Sequence, residues 1–355
     1  MIYISPMNKI EYGMKLDFGN VLIRPKRSTI SSRSEVDLER NFNFTSKNKD
    51  ENINWKGIPI IAANMDTIGT FEVYDKLKEH KIITALHKHY TLEDYLEKNK
   101  SDRLDSEYFM VSTGIGQSDF EKLNQILENI ECKWICIDVA NGYMHKLVEF
   151  CRKVRDLYPD KIIVAGNVVT REMVEELILN GGVNIVKVGI GSGSGCLTRM
   201  KTGVGMPQLS AIIECADAAH GAGGHIISDG GITCPGDMAK AFGAGADFVM
   251  MGGRFAGHDE NPGELIEENG EKYKLFYGMS SKHAMEKHYG KMNNYRSSEG
   301  RCIKVKYKGP INVTVEDYLG GLRSACSYIN AKNIKNMPKC TTFVQVSQQL
   351  NTIYA

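Results

Sequence analysis

The stretch KIIVAGNVVTREMVEELILNGGVNIVKVGIG, residues 161–191, reads as strand, helix, strand. Residues 162–167 and 185–189 are short β-branched runs, and between them 171–179 carries apolar residues at helical spacing. Two parallel strands in one sheet need such a crossover, so this unit alone points to an α/β chain. The pattern repeats on both sides. Further runs lie at 58–64, 82–88, 109–114 and 134–140 on the N-terminal side and at 225–229 and 248–251 on the C-terminal side. Helical patterns at 120–129, 144–158, 208–220 and 238–242 alternate with them. Eight β-then-α units predict a TIM (β/α)8 barrel, which takes about 250 residues, over a doubly wound sheet of five or six strands.

The chain, 1–355, reads as a single barrel domain with an N-terminal extension over 1–57 and an active-site loop and tail over 256–355. The polar stretch 45–54 reads as a surface excursion, and no interdomain linker interrupts the pattern.

Charge excludes some partners. Lys and Arg number 44 against 43 Asp and Glu, a formal net charge of +1, so no basic excess exists to hold a nucleic-acid backbone or an anionic membrane. No apolar run reaches the roughly 18 to 20 residues of a membrane-spanning helix. Charges occupy the first twenty residues, where a signal peptide would be apolar, so the expected compartment is the cytoplasm. The nine cysteines, at 132, 136, 151, 196, 215, 234, 302, 326 and 340, form no CxxC pair and no Cys/His zinc spacing. Free thiols follow from an odd number in a reducing compartment.

Several strands end in polar or Gly-rich peptides: AANMD, LHKHY, STGIG, DVANG, AGNVV, VGIGSGSGC, SDGG and MGGR. In a barrel these ends share one mouth, where the chemistry sits. The most specific is GIGSGSGCLTR, 189–199. As a dinucleotide fingerprint it is weak, because CLTRMKTGVG follows the glycines where a helix should begin. The other reading is a backbone cradle that presents Cys196 and offers closely spaced carbonyls to a monovalent cation, with Cys196 either a nucleophile or a structural thiol. Asp229-Gly230-Gly231 and Gly252-Gly253-Arg254 follow the seventh and eighth strands, where barrels bind phosphate; the alternative is a pair of tight turns. Asp229 suits a ribose diol or a turn cap. His87, Lys88 and His89 end the second strand, and Asp138, Asn141 and Gly142 end the fourth, serving either a ligand or a solvated rim. The segments 277–281 and 295–300 lie where a loop folds back over the mouth or runs along the surface.

Taken in order, these peptides resemble the IMP dehydrogenase/GMP reductase family nearly end to end. The resemblance runs through LDFGNVLIRPKRSTISSRSEVDL (16–38), AANMDTIGT (62–70), ALHKHYT (85–91), DVANGY (138–143), AGNVVT (165–170), CLTRMKTGVGMPQLSA (196–211), SDGGIT (228–233), MMGGRFAGHDE (250–260), GMSS (278–281) and YRSSEG (295–300). It implies an NADPH-dependent oxidoreductase of purine salvage that irreversibly converts GMP to IMP and ammonia through a thioimidate on Cys196. Thr198 and Glu299 would move protons on the departing amine. GMP would meet Asp229, Gly230, Gly231, Gly252, Gly253, Met279, Ser280, Arg296, Ser298, Glu299 and Gly300. NADPH would meet Ser32, Arg33, Lys88, Asp138, Val139, Ala140, Ile190, Gly191, Met279, Tyr295 and Arg296, with Ser324, Ala325, Cys326 and Ser327 from a neighbouring subunit of a homotetramer. Gly191, Gly193, Cys196 and Arg199 would give backbone oxygens to potassium.

The chain departs from the family at Ser192, where proline is usual, and at Gly195 and Leu197, which predicts a looser loop. The dehydrogenase branch is the nearest rival. Against it stand the short interval from His89 to Tyr108, which leaves no room for that branch's inserted regulatory domain, and the short one from Lys282 to Tyr295, where a long mobile flap would lie. A silent nucleotide-binding barrel is a rival of another class, disfavoured by Cys196, Thr198 and Glu299 occurring together.

Overall fold

A computed structural model describes residues 9–48, 52–278, 281, 298 and 300–347. Eight strands close into a barrel: β1 Ile60–Ala62, β2 Ile83–Leu86, β3 Phe109–Thr113, β4 Trp134–Asp138, β5 Ile162–Val168, β6 Ile185–Val188, β7 His225–Asp229 and β8 Phe248–Met251. Neighbours pair in chain order and in parallel, and β8 returns to β1 with Val249 opposite Ile60 and Met250 opposite Ile61. Helices α1 Phe71–Leu77, α2 Leu92–Ser101, α3 Gln117–Asn129, α4 His145–Leu157, α5 Arg171–Leu179, α6 Gln208–Gly221, α7 Pro235–Gly243 and α8 Ile311–Ile329 accompany them. This is the TIM barrel that the repeated unit predicts.

Local chemistry starts and stops the helices. Thr70 and Thr91 accept N–H bonds at the heads of α1 and α2, where Thr91 and Asp94 form a reciprocal cap. Pro235 opens α7, and Asn330, at φ 60°, closes α8 in the left-handed region.

Strand alternation divides the core in two. Ile60, Ile135, Ile163 and Val186 face the helices, whereas Ile61, Met110, Trp134, Ile162, Ile185, Ile227 and Phe248 fill the barrel. The same alternation turns Asp138, Lys187 and Asp229 inward, near the C-terminal ends of β4, β6 and β7.

A hairpin of Arg40–Thr45 and Asn52–Gly57 closes the opposite end. Its Phe42, Phe44 and Trp55 pack on Trp134, His225 and Phe248, with Phe42 and Phe248 stacked at 4.4 Å. Each such ring removed from water stabilises the plug by roughly 2 kcal/mol. The described residues of the 45–54 stretch are exposed except Ser46 and Ile53, as a surface excursion requires, and Thr45 pairs with Asn52 so that the hairpin strands run into it. The buried side chains alternate with exposed ones, a period-2 signal that the polar composition obscures.

After β8 the chain forms a three-stranded sheet of Ile266–Glu268, Glu271–Tyr277 and Cys302–Lys306 before entering α8. Tyr277 lies opposite Cys302, and the Tyr277 hydroxyl donates to Asp66 Oδ2 at 2.9 Å, just beyond β1. The described part of the long connection thus includes strands that come back to the mouth.

Candidate active site

The glycines after β6 let the chain turn sharply at the mouth, with Gly191 at φ 78°. The turn delivers Cys196, half-buried, whose N–H donates to Gly193 O at 3.0 Å. Its Sγ lies 3.1 Å from Thr198 Oγ1, and the Thr198 N–H points at the sulfur from 3.4 Å. The thiol donates to the Thr198 hydroxyl and accepts from the Thr198 N–H, so one residue holds the sulfur from two sides and keeps a proton-carrying hydroxyl beside it. Five other cysteines, 132, 136, 151, 215 and 326, are buried. Burial pushes the thiols of Cys136, Cys151, Cys215 and Cys326 up to about 12 and that of Cys132 to about 11, which leaves them inert.

Three elements hold the Cys196 loop. Ser192 Oγ donates to Asp229 O at 2.8 Å, so a hydrogen bond to β7 restrains this position of the glycine-rich loop. From the C-terminal sheet, Arg301 N donates to Gly195 O at 2.9 Å, and Cys196 pairs with Gly300 as an antiparallel bridge. From the N-terminal extension, Asp17 accepts from Arg199 Nη1 at 3.1 Å and from Gln208 N at 2.5 Å. The Arg199 stem fills the space a Cβ would need at Gly191 and at Gly205, 2.5 and 2.7 Å from its Cγ. Asp17 was not singled out by sequence reasoning; its only signal is its place in the LDFGN peptide.

Asp229 ends β7 with its carboxylate accepting from Asn167 Nδ2 at 2.8 Å. Gly230 and Gly231 follow at φ 91° and 81°, and a Cβ on Gly230 would stand 2.9 Å from Gly193 N. On Gly253 it would meet Ser194 Oγ at 2.5 Å. Both double-glycine turns therefore abut the Cys196 loop. Ser298 Oγ donates to Gly300 O at 3.3 Å, next to the same bridge.

Asp138, half-exposed at the end of β4, is bonded to Lys187 Nζ at 2.5 Å. Val139 is half-buried and Ala140 exposed beyond it. Lys88 is half-buried at the end of β2, its carbonyl accepting from Lys122, whose ammonium burial lowers below the ordinary lysine value. Ile190, Gly191 and Gly193 line the start of the loop.

Other expected residues sit elsewhere. Ser32 and Arg33 form an exposed turn near the end of α8, where Thr29 N donates to Asn330 Oδ1 at 3.1 Å. On α8, the Ser324 and Ser327 hydroxyls donate to helix carbonyls, Ala325 is half-buried, and Cys326 points into its own subunit's core. Met279, Ser280, Tyr295, Arg296 and Glu299 lie outside the described residues.

The carbonyls expected to hold potassium are neutral donors. Gly193 O already accepts the Cys196 N–H and Arg199 O the Gly203 N–H, at 3.0 and 3.1 Å, so each retains one lone pair for a cation. At the opposite end of the barrel, His220, His225 and Asp247 bring ligand-type atoms within 4.8 Å of one another. There Arg40 Nη2 takes Asp247 Oδ1 at 2.7 Å and puts positive charge where a metal would sit. The cluster is an ion-pair network under the hairpin plug.

The family model described as the IMP dehydrogenase / GMP reductase domain matches residues 15–351. The chain belongs to the IMP dehydrogenase/GMP reductase family. It is 58% identical over 348 residues to proteins named GMP reductase from Yersinia pestis (strain Pestoides F) and Yersinia pseudotuberculosis (serotype O:1b, strain IP 31758), covering 98% of this chain and 99% of each relative. Within this family the barrel mouth described above is the enzyme's candidate site, with Cys196 on the loop after β6 and Asp229 beside it.

Proposed function

We infer that this chain is a GMP reductase, an oxidoreductase that converts GMP, NADPH and a proton taken from solvent to IMP, ammonia and NADP+. The observation that carries this reading is the Cys196–Thr198 contact at the mouth of a barrel that matches curated GMP reductases along nearly its full length.

The chemistry follows from the residues. Replacing an exocyclic amine by hydrogen through direct hydride attack is hard, and a thiolate divides the task. The Cys196 sulfur adds to C2 of guanine. The C2–N bond then breaks, and the amine leaves as ammonia with the proton the thiol gave up, leaving a thioimidate. Thr198, against the sulfur, and Glu299 carry protons to the departing nitrogen. When bound, NADPH supplies the hydride that reduces this carbon. The C2–S bond breaks next, the sulfur regains a proton, and IMP is released.

The remaining residues bind and orient. Asp229 accepts the ribose hydroxyls, while the backbone N–H groups of Gly230, Gly231, Gly252 and Gly253 approach the phosphate. Ser280, Ser298 and Gly300 complete the nucleotide site, and Met279 and Arg296 serve both ligands. Lys88, Asp138, Val139, Ala140, Ile190, Gly191 and Tyr295 face the nicotinamide side. Ser32 and Arg33, with Ser324 to Ser327 of a neighbouring subunit, meet the far end of the cofactor. This sharing fits a cytoplasmic homotetramer, and it uses Cys326 only through its backbone. Potassium, held by Gly191, Gly193, Cys196 and Arg199, would brace the loop. No helix among the described residues is long and apolar enough to cross a membrane.

The deciding experiment incubates purified protein with GMP and NADPH, and separately with IMP and NAD+, following nicotinamide absorbance and ammonia. Only the first mixture should react, and Cys196→Ala should stop it. Turnover of the second mixture alone would transfer the chain to the dehydrogenase branch.

A further inference from the structure

Lys187 has no place in the reaction as described. It is nevertheless a charged side chain 2% exposed, in the middle of a strand that otherwise reads Ile-Val-Val. Alternation along β6 sends it into the barrel, above the layer of Ile185. Strand β5 makes way for it, since a Cβ on Gly166 would lie 2.6 Å from Lys187 Cβ.

Its Nζ reaches Asp138 Oδ1 at 2.5 Å, Asp229 Oδ2 at 3.4 Å and Asn64 Oδ1 at 3.3 Å. The two carboxylates come from β4 and β7, on either side of β6, and keep 34% and 21% exposure. Other groups face the triad. Cys136 of β4 stays a neutral thiol, Lys88 beyond β2 adds positive charge near Asp138, and Asn167 of β5 donates to Asp229. Burial acts to lower the Lys187 ammonium, but Asp138 and Asp229 outweigh it and hold the group above its ordinary value.

We propose that Lys187 is a positioning residue of the active site, a single buried counter-ion that holds Asp138 toward the cofactor and Asp229 toward the ribose. The proposal rests on the ligand roles given to those two carboxylates above. With Lys187 in place, one ammonium holds and aims both carboxylates. Without it, two partly exposed carboxylates lose the cation they share, and protonation of the pair becomes easier.

The test compares native enzyme with Lys187→Met and Lys187→Arg, measuring kcat/KM over about pH 5 to 9 together with circular dichroism and thermal unfolding. In folded Lys187→Met, the acid limb should move up by about one pH unit or more and the KM values for GMP and NADPH should both rise about tenfold. Lys187→Arg should return the limb toward its native position. A folded Met variant with an unmoved limb overturns the proposal, whether its activity is native or uniformly reduced.

A second measurement covers a Met variant that does not fold. In Asp138→Asn the ammonium is left to Asp229 alone, so the KM for GMP should change by about threefold or more although Asp138 serves the cofactor. A native KM for GMP in that variant also overturns the proposal. Failure of the native enzyme to reduce GMP would overturn the functional reading itself, whereas native turnover with unmoved parameters would sink only the role of Lys187.

Discussion

Cys196 Sγ and Thr198 Oγ1 lie 3.1 Å apart because Leu197, at φ −113° and ψ 5°, turns the chain straight from the glycine loop into the short helix Thr198–Thr202. The hydroxyl therefore stands where the sulfur reacts. Thr198→Ala should lower kcat about a hundredfold with a small change in KM for GMP. Steady-state kinetics separate the alternatives: a raised KM with unchanged kcat would make Thr198 a binding group.

Ser192 ties the Cys196 loop to β7 through Asp229 O at 2.8 Å. Ser192→Ala should lose about 1 kcal/mol of loop restraint, seen as a kcat/KM reduced several-fold with little change in melting temperature. An unaltered kcat/KM would show that the Arg301 and Asp17 contacts hold the loop alone.

Two glycine substitutions should differ sharply. At Gly230, φ is 91° and a Cβ would meet Ser192 Oγ at 2.6 Å and Gly193 N at 2.9 Å. Gly230→Ala should therefore cost about 1 to 2 kcal/mol in backbone strain alone and displace the nucleophile loop, with a large fall in kcat. At Gly221, the last residue of α6, a Cβ meets open space, and Gly221→Ala should be neutral or stabilising by up to about 1 kcal/mol. Chemical denaturation of both variants makes the comparison.

The cluster under the hairpin plug should give stability two pH limbs. Burial acts to raise the Asp247 carboxyl, but His220, His225 and Arg40 outweigh it and hold it far below the usual carboxylate range. Its contribution is present above the unfolded value of about 3.9 and is lost as pH falls toward the depressed folded value. His220 is raised, chiefly by its hydrogen bond to Asp247, so its contribution is complete below about 6.5 and is lost as pH rises through the folded value. Melting temperature should peak at mildly acidic pH, and Asp247→Asn should flatten both limbs. A variant whose profile follows the native one would remove the cluster from the pH response.

Asp17 reaches the loop from the N-terminal extension, gripping Arg199 and the start of α6. Asp17→Ala should lower kcat/KM about tenfold while the barrel still unfolds cooperatively. Native kinetics would mean the grip is redundant.

Much of this was present in the chain's local pattern. The alternation of β-branched runs with helical spacing in 161–191, repeated eight times, is a property of neighbouring residues, and it determined the barrel. The peptide around Cys196 and the glycine pairs after β7 and β8 carried the candidate site for the same reason, since strand ends meet at one mouth in this fold. The hairpin of Phe42, Phe44 and Trp55 is less legible, because its alternation is short and interrupted by a polar stretch of sequence.

Closure of the barrel decided the rest. Lys187 reads locally as one charge in an apolar strand, and only the curvature of the sheet brings Asp138 and Asp229, 49 residues before it and 42 after it, to the same ammonium. Asp17 reaching Arg199, and Arg301 reaching Gly195, likewise span separations that no local pattern encodes. Secondary structure follows from side chains a few positions apart, whereas a charge buried in the barrel acquires its partners only when distant strands are packed together.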